Sequence, residues 1–254
     1  MFVVLKKRKV VAIVFALIIC MVLVITVSSP NVKSVFSSAK KELPIYRVDT
    51  DKKQVAISFD CAWGVDYTDK LLEIMQSEKV KCTFFTVQFW AEKYPEYLKK
   101  IDQLGHEIGT HSATHPHMST LNKSQILEEL NTSINAIEKV TGKKVKVFRP
   151  PFGEYNDLLI KTARELGLYT IQWDVDSLDW KNLSAEQIEN RVIKRVKNGS
   201  IVLFHNQGLH TAEALKNIIV SLKNEGYEFV TIGELIYKDN YKILPDGTQT
   251  KIEN

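Results

Sequence analysis

The chain has 254 residues, 44% hydrophobic and 25% charged, which is ordinary globular usage, and its formal net charge is +4. Much of that surplus sits in Lys6, Lys7, Arg8 and Lys9, and no basic stripe with interleaved aromatics follows it, so nothing points to a nucleic-acid partner. The three cysteines, Cys20, Cys61 and Cys82, form neither a disulfide framework nor a Cys-x-x-Cys metal pair. A Cys61–Cys82 disulfide is disfavoured, because both residues fall in strand-like runs and disulfide geometry is strict.

In chain order, residues 1–9 read as a basic cytoplasmic segment. Residues 10–27, "VVAIVFALIICMVLVITV", carry no charge and predict a transmembrane anchor or uncleaved signal. The basic cluster before it would keep the N-terminus inside and place the rest outside the cell membrane; a secreted protein is the alternative. Residues 28–50 read as a linker, 51–240 as the main domain and 241–254 as a C-terminal tail.

Within the main domain short apolar runs alternate with helical patterns. "QVAISFD" reads as a strand, "TDKLLEIMQSEK" as a helix behind a Thr68 cap, "CTFFTVQF" as a strand and "PEYLKKIDQLG" as a helix. "HEIGTH" is a short strand, and "NKSQILEELNTSINAIEKVTG" is a long amphipathic helix with Leu127, Leu130, Ile134 and Ile137 on one side. "KVKVFR", "YTIQWDV" and "SIVLFH" are strands, separated by the helices "NDLLIKTARELG" and "AEQIENRVIKRVKNG". "AEALKNIIVSLKNEG", "YEFVTI" and a last helix from Gly233 complete the series. About seven βα units imply an α/β fold with a mainly parallel sheet. No G-x-G-x-x-G follows the first strand, so a barrel fits better than a dinucleotide-binding open sheet.

In a βα barrel the chemistry gathers at the carboxyl ends of the strands. Asp60 ends the first strand, His111 follows the third, Arg149 ends the fourth, Asp174, Asp176 and Asp179 follow the fifth, and His205 ends the sixth. His111 and His115 form a His-x-x-x-His pair that can either bind a metal or serve as hydrogen bonders in a polar loop. His117, after Pro116, reads as a rim residue. Arg149 stands before two prolines that hold it extended, where it could fork onto a carboxylate or lie on the surface. Asp179 could orient His205 and raise its pKa, making it a proton donor to a leaving amine. Trp173 and Trp180 offer flat faces to a sugar ring, or belong to the core.

Five motifs in order, "SFDCAW", "HSATH", "RPPFG", "DSLDW" and "LFH", cover nearly all of the main domain and resemble those of the polysaccharide deacetylase (NodB-homology) family, carbohydrate esterase family four. The resemblance implies a distorted (β/α) barrel and metal-dependent removal of N-acetyl groups from glycans. By position Asp60 corresponds to the general base that activates a metal-bound water, and His111 and His115 to metal ligands. Arg149 corresponds to the residue orienting Asp60, Asp179 to the one tuning His205, and His205 to the general acid. Pro151, Phe152, Trp180 and Leu203 would line the substrate pocket, and backbone N–H groups of the Pro-Pro-Phe-Gly turn would help stabilise an oxyanion. Cys61 departs from the pattern, because most members carry there a second Asp as third metal ligand. It implies one of three states: a thiolate ligand favouring Zn²⁺ (with Co²⁺ as the alternative), a bystander beside a two-His site, or a degenerate glycan-binding relative. Asp66 is a weak candidate for a replacement carboxylate. Cell-wall glycan, peptidoglycan before chitin, is the expected substrate of a monomer. A glycosidase built on Asp60 and an Asp of the 174–179 cluster ranks last, since it leaves the histidines without a role.

Overall fold

A computed structural model describes residues 7–28 and 41–252. The chain divides into two compact units, Met1–Lys41 and Glu42–Asn254. In the first, Lys7–Ser28 forms a helix whose side chains over 11–21 are exposed. Among the described residues no helix is long and apolar enough to cross a membrane. The transmembrane anchor expected over 10–27 is therefore withdrawn. Residues 1–6 and 29–40, which hold most of the expected basic segment and half of the linker, lie outside the described residues.

The second unit is a distorted (β/α) barrel. Its strands are β1 Arg47–Val48, β2 Gln54–Cys61, β3 Thr83–Thr86, β4 Glu107–Thr110, β5 Val147–Phe148, β6 Tyr169–Thr170, β7 Val175–Asp176, β8 Ser200–His205, β9 Glu228–Phe229, β10 Tyr241–Ile243 and β11 Thr248–Lys251. The order β8-β2-β3-β4-β5-β6 is parallel throughout. The ring closes through residues 45–48. Ile45 N–H donates to Thr170 O at 2.9 Å, Gln172 N–H donates to Ile45 O at 2.7 Å, and Arg47 of β1 pairs with Ser200 of β8. Two expected boundaries change accordingly. Ile45 and Val48 of the expected linker are buried and seal the barrel, and the expected C-terminal tail is the hairpin β10–β11, which pairs with β1.

The expected strand "YTIQWDV" is two strands, and closure is the reason. Ile171 meets Ile45 at one edge of the seam, and the chain then crosses it, so that β7 pairs with β8. Residues after β7 are thereby delivered beside the end of β8.

Alternation along β2 sorts the side chains into two layers. Ala56 packs inside the barrel with Phe85, Val147, Ile171 and Ile201. Val55, Ile57, Phe59 and Cys61 face the helix layer, against Leu71, Leu72 and Ile218. The longest helix of that layer, Lys123–Thr141, opens with an Asn122/Gln125 capping box and stops at Gly142 in the left-handed region. It buries Ile126, Leu130 and Ile137; Ile126 takes the place expected of Leu127. The amino end of the barrel is closed by the short helix Ile232–Leu235: Ile232 N–H donates to Thr83 Oγ1 and Gly233 N–H to Glu107 Oε2.

Candidate active site

Strand register brings the expected residues into one ring. Asp60 is the register partner of His205, His111 N–H donates to Thr86 O, and Arg149 N–H donates to Thr110 O. Asp60 lies on the inward parity of β2 and is 8% exposed. It accepts from Arg149 Nη1 at 2.8 Å, and its other oxygen lies 3.6 Å from His111 Nε2. Arg149 is fully buried, donates Nη2 to Gln172 O, and lies over the ring of Phe85 at 4.2 Å. Burial works against a charged Asp60. The Arg149 guanidinium, with His205 adding to it, outweighs it and holds the carboxyl below its ordinary range.

His111 Nδ1–H donates to Arg149 O at 2.7 Å, which leaves Nε2 with a free lone pair toward Asp60. Burial keeps this imidazole neutral, its pKa down at about 4. His115 sits in a left-handed turn (φ 59°), with its ring 5.0 Å from that of His111 and 4.6 Å from that of Phe152. Sequence reasoning missed the residue that shapes this turn. Glu129 accepts from the backbone N–H groups of Ala113 and Thr114 and from the Thr114 hydroxyl. Its one signal is a carboxylate between Ile126 and Leu130, close to the buried face of its helix.

At the end of β8, His205 Nδ1–H and backbone N–H donate to the two carboxylate oxygens of Asp179, each at 2.8 Å. Thr211 Oγ1, also missed from the sequence, donates to Asp179 at 2.6 Å. Burial opposes the charge on His205, but the hydrogen bond and charge of Asp179, with Asp60 and Asp176 behind it, raise its pKa above the ordinary value. A carboxylate held ionised and an imidazole held toward its charged form thus border one cleft of about 640 Å³. Such a pair can take a proton from water and return one to a leaving group.

Phe152, Trp173, Trp180 and Leu203 also line this cleft. Pro151 is buried and does not border it. Gly153 N–H of the same turn is engaged with Pro150 O. Trp63, not singled out from the sequence, borders the cleft with 64% of its surface exposed.

Cys61 does not join the site. It occupies the outward parity of β2, is 0% exposed, and its nearest polar partner is Phe59 O at 3.9 Å. Burial and the neighbouring Asp60 push its thiol well above the ordinary range. This outward placement keeps Cys61 out of the cleft that His111 and His115 border, so the third metal ligand expected at Cys61 is corrected. Asp66 is bound to Gln207 Nε2 and does not line the cleft. Cys61 and Cys82 are free thiols, so no disulfide joins them. Among the described residues no group of three or more His, Cys, Asp or Glu side chains is arranged to hold a metal ion. His111 and His115 fit a cation that takes nitrogen ligands, because the His111 Nδ1 contact fixes the ligating tautomer and burial keeps the ring neutral.

Comparison with known proteins agrees with this geometry. A family model described as polysaccharide deacetylase matches residues 47–171. The chain is 38% identical over 193 residues to YlxY, an uncharacterized protein of Bacillus subtilis, covering 76% of this chain and 60% of that one. It is 36% identical over 196 residues to a peptidoglycan-N-acetylglucosamine deacetylase of Bacillus cereus, covering 75% of this chain and 92% of the relative. Among solved structures it resembles a CE4 family pseudoenzyme from Bacillus anthracis, with a TM-score of 0.74, 37% identity, and coverage of 77% of this chain and 69% of that one.

Proposed function

The chain belongs to the polysaccharide deacetylase family, carbohydrate esterase family 4, and from that premise we propose that it hydrolyses N-acetyl groups of cell-wall glycan, peptidoglycan first, outside the cytoplasm. The observation that carries this reading is the pairing, at one cleft, of Asp60, held by Arg149 at 2.8 Å, with His205, held by Asp179 at 2.8 Å and its pKa raised by that carboxylate. An amide resists hydrolysis unless its nitrogen is protonated as it leaves. His205, oriented through Nδ1 by Asp179, presents Nε2 for that transfer. Asp60, fixed by Arg149, takes the proton of the attacking water. Trp180 and Leu203 give the acetyl methyl an apolar wall. His111 and His115 would hold a divalent cation, Zn²⁺ before Co²⁺, which when bound polarises the amide carbonyl and acidifies water.

Two observations favour a second reading, a glycan-binding relative without turnover: Cys61 is withdrawn from the site where the resemblance implies a third ligand, and a solved relative is a pseudoenzyme. The test is acetate release by the full chain, with Zn²⁺ or Co²⁺ added, from N-acetylglucosamine oligomers and from peptidoglycan. Release that Asp60→Asn abolishes supports the enzyme. Binding of oligomers without release, equal in wild type and Asp60→Asn, supports the second reading.

A further inference from the structure

A second cavity, of about 290 Å³, lies over the seam of the barrel, where helix Asp157–Glu165, β6 and β10 meet. It shares no lining residue with the cleft. Ile45, Ile160 and Ile243 give it apolar walls, and the rings of Tyr169 and Tyr241 stand side by side in it, 6.4 Å apart between centroids and tilted by 48°. Its volume admits a molecule of about ten non-hydrogen atoms and no polymer.

Three polar groups of its lining have no counterpart in the protein. Thr170 is 6% exposed, and its Oγ1 has no hydrogen-bond partner. Ile171, the next residue, packs inside the barrel, so Thr170 faces the other way, toward the helix that carries Ile160 and Arg164. The Tyr241 hydroxyl has no partner among the described residues, and burial pushes its pKa up. Lys238 is held by its backbone: its carbonyl accepts from the Tyr169 hydroxyl at 2.9 Å, and its Nζ stands 5.2 Å from the centroid of the same ring. Among the described residues no carboxylate forms an ion pair with that Nζ, and partial burial lowers its pKa. The other cation at the cavity, Arg164, is paired with Glu42. One positive charge and two hydroxyls are thus left over in an otherwise apolar space. A few polar groups set in apolar walls is how a protein orients a small ligand, and leaving them unpaired is costly.

We propose that this cavity is a binding site, separate from the cleft, for a small monocarboxylate with an apolar body. The carboxylate pairs with Lys238 and takes hydroxyl donors from the same wall; the body lies against Ile160, Ile243 and the tyrosine rings. A single uncompensated cation calls for a single negative charge, and the apolar walls exclude a bare inorganic anion.

Calorimetric titration of the metal-free full chain with phenylacetate tests it; removing metal keeps a carboxylate from binding at His111 and His115. Wild type is expected to saturate with a Kd of about 1 mM or tighter, and its neutral counterpart phenylacetamide to bind about tenfold more weakly. Lys238→Gln, a change at an exposed residue, is expected to weaken phenylacetate about tenfold. Thr170→Val is expected to weaken it about threefold while the ligand-free protein melts no lower, because that hydroxyl has no partner to lose. Ile45 N–H donates to Thr170 O across the seam, so a ligand seated here ties both sides. The melting temperature of wild type should therefore rise with phenylacetate concentration, and that of Lys238→Gln should stay nearly flat. No saturable binding by wild type, equal binding of phenylacetamide, or binding that Lys238→Gln leaves unchanged overturns the site. None of these results bears on the deacetylase reading.

Discussion

Asp179 accepts three hydrogen bonds, two from His205 and one from Thr211, and is almost completely buried. Its charge lifts the His205 pKa against the pull of burial, so His205 keeps its proton to higher pH than a free imidazole. If that proton reaches the leaving nitrogen, activity falls as pH rises through the His205 pKa. Asp179→Asn removes the charge and lowers that pKa, so the alkaline limb of kcat/KM moves to lower pH and the maximal rate drops about 10²-fold or more. An unmoved limb would take Asp179 out of this role. Cys61 leads to the opposite kind of expectation. Cys61→Ser leaves Zn²⁺ affinity within about twofold while costing about 1–3 kcal/mol of stability for burying a hydroxyl; calorimetry with Zn²⁺ and a denaturant midpoint check the two parts. Loss of metal in the Ser variant would return the thiol to the site. The strand-end residues were legible because apolar runs stop at charged groups. The place of Cys61 was legible too, through parity: if Asp60 faces the barrel, its neighbour in a regular strand faces the helices.

The seam of the barrel was not legible. Ile45 pairs with Ile171 across a long stretch of chain, and neither residue carries a local signal for it. The segment around Ile45 lacks periodicity because it makes one bridge and then a two-residue strand, too short to show alternation. The same bridge ends β6 and sends the chain toward β8, so a single unreadable contact split an expected strand and decided where Asp179 arrives. Helix periods depend on neighbours three and four residues apart, and they could be read from sequence; Lys123–Thr141 differs only in which of two adjacent apolar residues faces inward. The seam's structural importance is measurable. Ile45→Ala is expected to cost about 2–4 kcal/mol. Arg149 Nη2 is also held by the carbonyl of Gln172, whose N–H donates to Ile45 O, so the change should disturb the carboxylate's partner as well. A shift of the urea midpoint below the equivalent of 1 kcal/mol would mean that the barrel closes without this contact.

The whole barrel registers pH through imidazoles at both ends. His205 has a raised pKa; its contribution to stability is complete below the unfolded value of about 6.5 and is lost as pH rises through the folded value. His106, near the amino end, does the reverse. It is buried, its Nδ1 accepts from Cys82 N–H at 3.2 Å, and burial, with Lys81 adding, holds its pKa at about 4. Between about pH 6.5 and pH 4 the unfolded chain carries a proton at this position that the folded chain refuses, so stability falls as pH falls across that window. Each pH unit removes up to about 1.4 kcal/mol, and the full window about 3 kcal/mol. His111, held at about 4 by the same cause, adds a parallel loss, so the informative quantity is the difference between wild type and a variant. In His106→Asn the amide oxygen can replace Nδ1 as acceptor for Cys82 N–H without taking up a proton. Denaturant midpoints from pH 7 to pH 4 should therefore fall less steeply in His106→Asn, by about one proton's worth of slope, even if the variant starts less stable at pH 7. Parallel lines for the two proteins would mean that His106 accepts its proton inside the folded barrel, and that acid sensitivity comes from the cleft alone.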